Sequence, residues 1–169
     1  MGRDTLTEDI VRNLGFLCLG SRFRRIGERL QADTQQIMEE FGVPVQAGQY
    51  PFLRAIDGAG ALTIGELAEA VGITQPGATR TLAQLVELGL VEARASDEDQ
   101  RRKLMSLTPA GRELVEFSRR EVWPRIEAAV RDLCADLNGP LLDQLGAIED
   151  GLASAPLKRR AKDAQEQTP

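Results

Sequence analysis

The chain has no histidine, two cysteines, and aromatic residues at only 4% of its 169 positions. The missing histidine removes the commonest acid–base side chain and the commonest metal ligand. Cys18 and Cys134 lie too far apart in sequence to make a Cys-x-x-Cys redox pair or a zinc ribbon. Glycine-rich phosphate-binding signatures are missing too, since Gly15 and Gly20 sit in helical surroundings with no strand before them. Carboxylates are plentiful but scattered along helices, where a solvated face explains them. The expectation is a protein with no enzymatic activity, no metal and no cofactor. Asp4, Glu8 and Asp9 precede any apolar stretch, and no apolar stretch approaches the length of a membrane span. A cytoplasmic protein with no membrane partner is therefore expected. Repeats and low-complexity segments are absent.

What is present is an aliphatic, Leu- and Ala-rich composition, 42% hydrophobic overall, which predicts a mainly α-helical fold. The net charge of −5 argues against a protein that coats nucleic acid through a broadly basic surface. It leaves room for a site-specific binder. The segment from Leu62 to Gly111 is the most informative. Ile64, Leu67, Ala68 and Val71 have the spacing of a one-sided helix. Gly72 suits the left-handed residue that closes it, and Thr74 suits the N-cap of a second helix opened by Gln75-Pro76. Ala78, Leu82 and Leu85 form that helix's buried stripe, and Gly89 ends it. Such a helix-turn-helix can lay its second helix in a DNA major groove. Leu90–Arg94 and Lys103–Leu107 read as strands around a charged turn, the "wing" of a winged helix, before Thr108-Pro109 starts another helix.

This stretch resembles the MarR family of bacterial winged-helix regulators. The resemblance rests on Leu62-Thr-Ile-Gly-Glu-Leu-Ala, Thr79-Arg80, Gly89-Leu-Val-Glu, Asp99-Gln-Arg101 and Leu107-Thr-Pro-Ala-Gly111. Gln100 stands where an arginine is usual, and Pro76-Gly77 is an unusual opening for the recognition helix. The implied DNA contacts on the recognition helix are Thr74, Gln75, Pro76, Gly77, Thr79, Arg80 and Gln84. Those on the wing are Asp99, Arg101 and Arg102. Arg80 suits guanine and Gln84 adenine, each through two hydrogen bonds. Cations and carboxylates balance one for one between 74 and 103, so affinity must come from geometry and pairing of subunits.

A helical pattern runs from Thr7 to Phe41, apolar over much of its circumference, and ends at Gly42 and Pro44. A shorter helix, about Gln46 to Ile56, offers Tyr50, Leu53 and Ile56 for burial. Beyond Thr108 one apolar face continues through Val122, Ile126, Ala129, Leu133 and Leu137 to a stop at Asn138-Gly139-Pro140. Pro124 falls inside it and predicts a kink or register change. A last amphipathic helix carries Leu141, Leu145, Ile148 and Leu152. The expected organisation is one domain. Segments 7–45 and 109–153 form a helical dimerisation lobe, 46–108 the winged helix-turn-helix lobe, and 154–169 a polar tail. Ile10, Leu14, Leu17, Leu133, Leu141, Leu145 and Ile148 are the expected homodimer contacts.

The resemblance implies a repressor that a small-molecule effector releases from a palindromic double-stranded DNA operator. Phe23, Arg24, Tyr50 and Arg54 are candidates to line the effector's crevice. Two other readings keep the fold: a peroxide or redox sensor acting through Cys18, and a winged-helix protein-interaction module that does not bind DNA.

Overall fold

Side-chain caps decide where the helices in the middle of the chain begin. In the computed structural model, which describes residues 9–95, 103–157 and 159–160, Thr63 caps helix α4 (Ile64–Val71). Its Oγ1 accepts from the Glu66 N–H at 3.2 Å, and the Glu66 carboxylate accepts from the Thr63 N–H at 2.8 Å, a reciprocal capping box. Gly72, at φ 73°, ends α4 in the left-handed conformation that a Cβ would penalise. Thr74 then caps α5 (Gln75–Glu87) through the Gly77 N–H at 3.4 Å. Leu67 and Ala68 of α4 and Ala78, Leu82 and Leu85 of α5 all belong to the buried core. The helix-turn-helix is as expected, with one difference at its start. Leu62–Thr63 is not helical but a short strand, β1, because Thr63 is extended as a cap and leaves Leu62 free to pair.

The wing is consequently a three-stranded antiparallel sheet in the order β1-β3-β2, with β2 at Val91–Ala95 and β3 at Lys103–Leu107. Leu62 pairs with Met105, and Val91 pairs with Leu107. Val91, Met105 and Leu107 are buried at the base of the hairpin, whereas Ala95 and Lys103 at its far end are exposed. Thr108 ties this base to helix α6 (Pro109–Phe117). Its N–H donates to the Leu90 carbonyl at 3.0 Å, its hydroxyl donates to the Gly89 carbonyl at 2.7 Å and accepts from Gly111 N–H at 3.0 Å.

Pro124 marks a change of register, as the sequence predicts. Residues Ser118–Val122 form a π-helical turn between α6 and α7 (Trp123–Leu133). Such a turn adds a residue where proline has no N–H for the regular ladder. Helix α7 stops at Leu133, earlier than the expected Asn138, and Leu137 lies beyond it. Asp132 and Asp136 sit at the negative end of the helix dipole, where carboxylates are disfavoured, and the chain leaves through tighter turns.

The long N-terminal helix expected over Thr7–Phe41 is interrupted. Asp9 caps a short helix α1 (Ile10–Asn13), Gly15 takes φ 55°, and a 3₁₀ turn covers Gly15–Cys18. Helix α2 then runs from Leu19 to Glu40. Thr7, where the helical pattern starts, lies outside the described residues. A 3₁₀ turn at Ala47–Gln49 leads into α3 (Tyr50–Ala59), whose Tyr50, Leu53 and Ile56 are buried as expected.

The described residues fall into two compact units, divided between Ala128 and Ala129. The first holds the core just described. The second contains the end of α7 and helix α8 (Leu141–Ser154), and no described residue from 129 to 160 is buried. Arg160 closes the end of α8, donating to the Gly151 carbonyl at 2.6 Å and to Ala155 at 2.9 Å. Among the described residues, no helix is long and apolar enough to cross a membrane.

Candidate nucleic-acid interface

Burial of Ala78, Leu82 and Leu85 on one side of α5 turns Gln75, Pro76, Thr79, Arg80, Ala83 and Gln84 outward. Thr74 is exposed at the cap and Gly77 is half-buried. A Cβ at Gly77 would stand 3.3 Å from Thr74 Oγ1 and 3.5 Å from Ile73 Cδ1, so the capped turn favours a residue without a side chain. Thr79 donates its hydroxyl proton to the Gln75 carbonyl at 2.9 Å and therefore shows the groove an acceptor and a methyl group. Arg80 has no ion-pair partner among the described residues, so its five donors point outward uncommitted. Asp99, Arg101 and Arg102 of the wing lie outside the described residues.

Gln84 is held in a way that the sequence did not show. Buried Gln49 accepts from the Gln46 backbone N–H at 2.8 Å and donates its amide N–H to Gln84 Oε1 at 2.9 Å. The backbone N–H is a donor under any assignment, so Gln49 must turn its oxygen to Gln46 and its NH₂ to Gln84. That fixes Gln84 in turn: its oxygen is used inward, and its NH₂ is the end left to face out. The signal available in sequence was weak, a glutamine beside the single tyrosine, with its partner on another helix.

Of the four crevice candidates, the structure brings together Tyr50 and Arg54. Tyr50 donates to Ser118 Oγ, which donates onward to the Leu114 carbonyl at 2.7 Å. Burial pushes the Tyr50 phenol above its ordinary pKa, against a lowering by Ser118 and Trp123. Its ring meets Trp123 edge-on at 5.7 Å. Arg54 and Arg119 lie 5.0 and 5.9 Å from the centre of the Trp123 ring, and both reach the Asp57 carboxylate at 2.7 Å. Asp57, Ser118, Arg119 and Trp123 were missed in sequence because they converge from α3, the π turn and the start of α7. Arg24, by contrast, is exposed and paired with Glu28 at 2.8 Å, and Phe23 is 39% exposed and outside the core that holds Tyr50. Cys18 and Cys134 are free thiols, and the Tyr50 hydroxyl is engaged by Ser118 rather than by Cys18.

Comparison with known proteins agrees with this geometry. A family model described as MarR family matches residues 41–102. The HTH-type transcriptional regulator FarR of Neisseria gonorrhoeae is 32% identical over 130 residues, which cover 75% of this chain and 88% of that protein. An uncharacterised HTH-type transcriptional regulator of Staphylococcus aureus (strain MRSA252) is 36% identical over 84 residues, 50% of this chain. The chain spans only 56% of that relative's length. Among solved structures, BpsR of Bordetella bronchiseptica, whose DNA binding is regulated by 6-hydroxynicotinic acid, superposes with a TM-score of 0.65 at 25% identity. The match covers 81% of this chain and 94% of BpsR. A mutant MarR of E. coli complexed with operator DNA has a TM-score of 0.64 at 23% identity, covering 80% and 91% of the two chains, and shares the fold.

Proposed function

Because the chain belongs to the MarR family, we propose that it is a DNA-binding transcriptional regulator that holds a palindromic operator as a homodimer and releases it on binding a small molecule. The observation that carries this reading is the capped helix α5, anchored by Ala78, Leu82 and Leu85, with Arg80 on its outer face and unpaired among the described residues. Thr74, Gln75, Pro76, Gly77 and Thr79 would share that contact, and Asp99, Arg101 and Arg102 would reach DNA from the wing. With a net charge of −5, the protein relies on shape and on two half-sites rather than on bulk electrostatics. Its role would then be to bind DNA rather than to catalyse a reaction, and a DNA operator would call for a cytoplasmic protein. Segments 7–45 and 109–153 would supply the dimer contacts.

Gel shift or fluorescence anisotropy against the DNA upstream of the protein's own gene tests this directly. Arg80→Ala is expected to weaken operator binding by about 1–3 kcal/mol, roughly fivefold to 150-fold, with the helical signal unchanged. Full operator affinity in that variant, or a wild type that shows no preference for any operator over competitor DNA, refutes the reading.

Gln84, with its oxygen committed to Gln49, would offer DNA a donor and so read an acceptor such as guanine O6 or N7, or thymine O4. Gln49→Leu is expected to cost about 1–3 kcal/mol of stability by stranding the Gln46 N–H. It would also let the Gln84 amide turn over, broadening preference at one base pair per half-site while non-specific binding persists. Unchanged preference across a set of operator variants would detach Gln49 from readout.

For the effector, Tyr50 and Arg54 with Trp123 and Arg119 would suit a flat anion. It would have to compete with Asp57 for the two guanidinium groups. Only an effector with different affinity for the two states of the dimer can release DNA.

A further inference from the structure

We propose that Arg12, Arg22, Arg25 and Arg29 form a binding site for a small anion carrying two or more negative charges, seated between α1 and the first half of α2. These residues, with Asp9 and Ile26, line a cavity of about 280 Å³. The site depends on the break at Gly15. In an unbroken helix Asp9 and Arg25 would stand about 24 Å apart along the axis. Instead α1 folds back, and the Asp9 carboxylate meets the Arg25 guanidinium at two 2.9 Å contacts. That pairing shows the geometry in use, with a carboxylate seated in one guanidinium fork. The Asp9 carboxyl is held below the usual carboxylate range, first of all by this bond from Arg25.

The other three guanidinium groups have no carboxylate hydrogen-bonded to them among the described residues. The Arg12 guanidinium acts on the Asp9 carboxylate only through its charge, Arg22 and Arg29 have no carboxylate partner among the described residues, and Arg22 is half-buried. Arg22, Arg25 and Arg29 recur at i, i+3 and i+7 on one face of α2, a spacing at which like charges oppose the helix. The same helix shows the ordinary solution elsewhere, where Arg24 is paired with Glu28 one turn on. Four arginines facing a single carboxylate in one concavity match an anion of more than one charge. Guanidinium forks accept carboxylate and phosphate equally well in geometry. A bound anion would also tie α1 to α2, which among the described residues only the Asp9–Arg25 ion pair now connects in this way.

The test is calorimetric titration of the full-length protein with sodium pyrophosphate and, separately, sodium citrate, each against sodium chloride at matched ionic strength. One saturable site per chain is expected for at least one probe, and the tighter one tells phosphate from carboxylate recognition. The double variant Arg22→Gln, Arg29→Gln should bind at least tenfold more weakly, while Arg24→Gln binds as the wild type does. Hydrogen exchange on the wild type gives a readout independent of variants, with pyrophosphate or citrate expected to protect amides between residues 9 and 29. Absence of saturable binding by both probes overturns the proposal, as does equal weakening in Arg24→Gln, which would indicate diffuse charge. Protection elsewhere in the chain overturns it too. So does loss of operator affinity in the double variant when neither anion binds the wild type, which would make these arginines DNA-phosphate contacts.

Discussion

Gly111→Ala is expected to destabilise the protein by about 3 kcal/mol or more, at the upper end of what overpacking costs. A Cβ at position 111 would lie 2.1 Å from the Leu90 carbonyl oxygen and 3.0 Å from its carbon. Both are backbone atoms, so no rotamer change relieves the clash. The carbonyl cannot swing aside cheaply either, because it accepts from the Thr108 N–H at 3.0 Å. Beside it, the Gly89 carbonyl holds the Thr108 hydroxyl at 2.7 Å. The methyl group would therefore pry α6 away from the start of β2 and break the junction that joins recognition helix, wing and the helix beyond. A loss of this size is a large part of the 5–15 kcal/mol typical of a folded domain. Urea unfolding followed by circular dichroism measures it. An unaltered midpoint would mean that α6 and Leu90 do not approach each other as closely as described.

Gly111 also illustrates what is legible in a sequence of this kind. The motif Leu107-Thr-Pro-Ala-Gly111 announces a helix start, because the Thr108 cap and the Gly111 N–H it accepts from are three residues apart. The same holds for Thr63 with Glu66 and for Thr74 with Gly77. Local hydrogen bonds of this span depend on neighbours, and the face of α5 follows from helical period alone. The reason position 111 must be glycine is not local. It lies in the approach of a carbonyl from the preceding hairpin. Strand β1 escaped notice for a similar cause, since Leu62 becomes a strand only by meeting Met105. Apolar spacing ran through Gly15 as though the helix continued, and a single left-handed residue was enough to reverse the chain. Pro124 betrayed a change of register, but whether it took the form of a kink or a π turn depended on packing. In the site, Arg80 could be read from its face, whereas the Gln49–Gln84 bond and the grouping of Arg54, Asp57 and Arg119 around Trp123 needed tertiary structure.

Leu17→Asp is expected to abolish the proposed homodimer and operator binding with it. In the single chain Leu17 is 82% exposed, and Ile10 and Leu14 beside it are 68% and 45% exposed. An aspartate there removes nothing from the core of one subunit, so a purely surface position would tolerate it within about half a kcal/mol. Between two subunits the same carboxylate would be buried in an apolar contact, at a cost of several kcal/mol unless it protonates or reaches water. The second unit of the chain makes a parallel case, for Leu133 is 66% exposed and Ile148 39% exposed there. With no described residue of that unit buried, its apolar side chains have no core of their own to enter. A homodimer whose separated subunits are not stable cannot absorb such a loss, and its stability depends on protein concentration. Sedimentation of Leu17→Asp should therefore show monomer or unfolded chain where the wild type sediments as a dimer. Operator affinity should fall further than in any single-contact variant, because both half-sites are lost from one assembly. A well-folded wild-type monomer at micromolar concentration, or a Leu17→Asp protein that remains dimeric with full operator affinity, would remove the terminal helices from assembly. The two-half-site operator would then lose its physical basis.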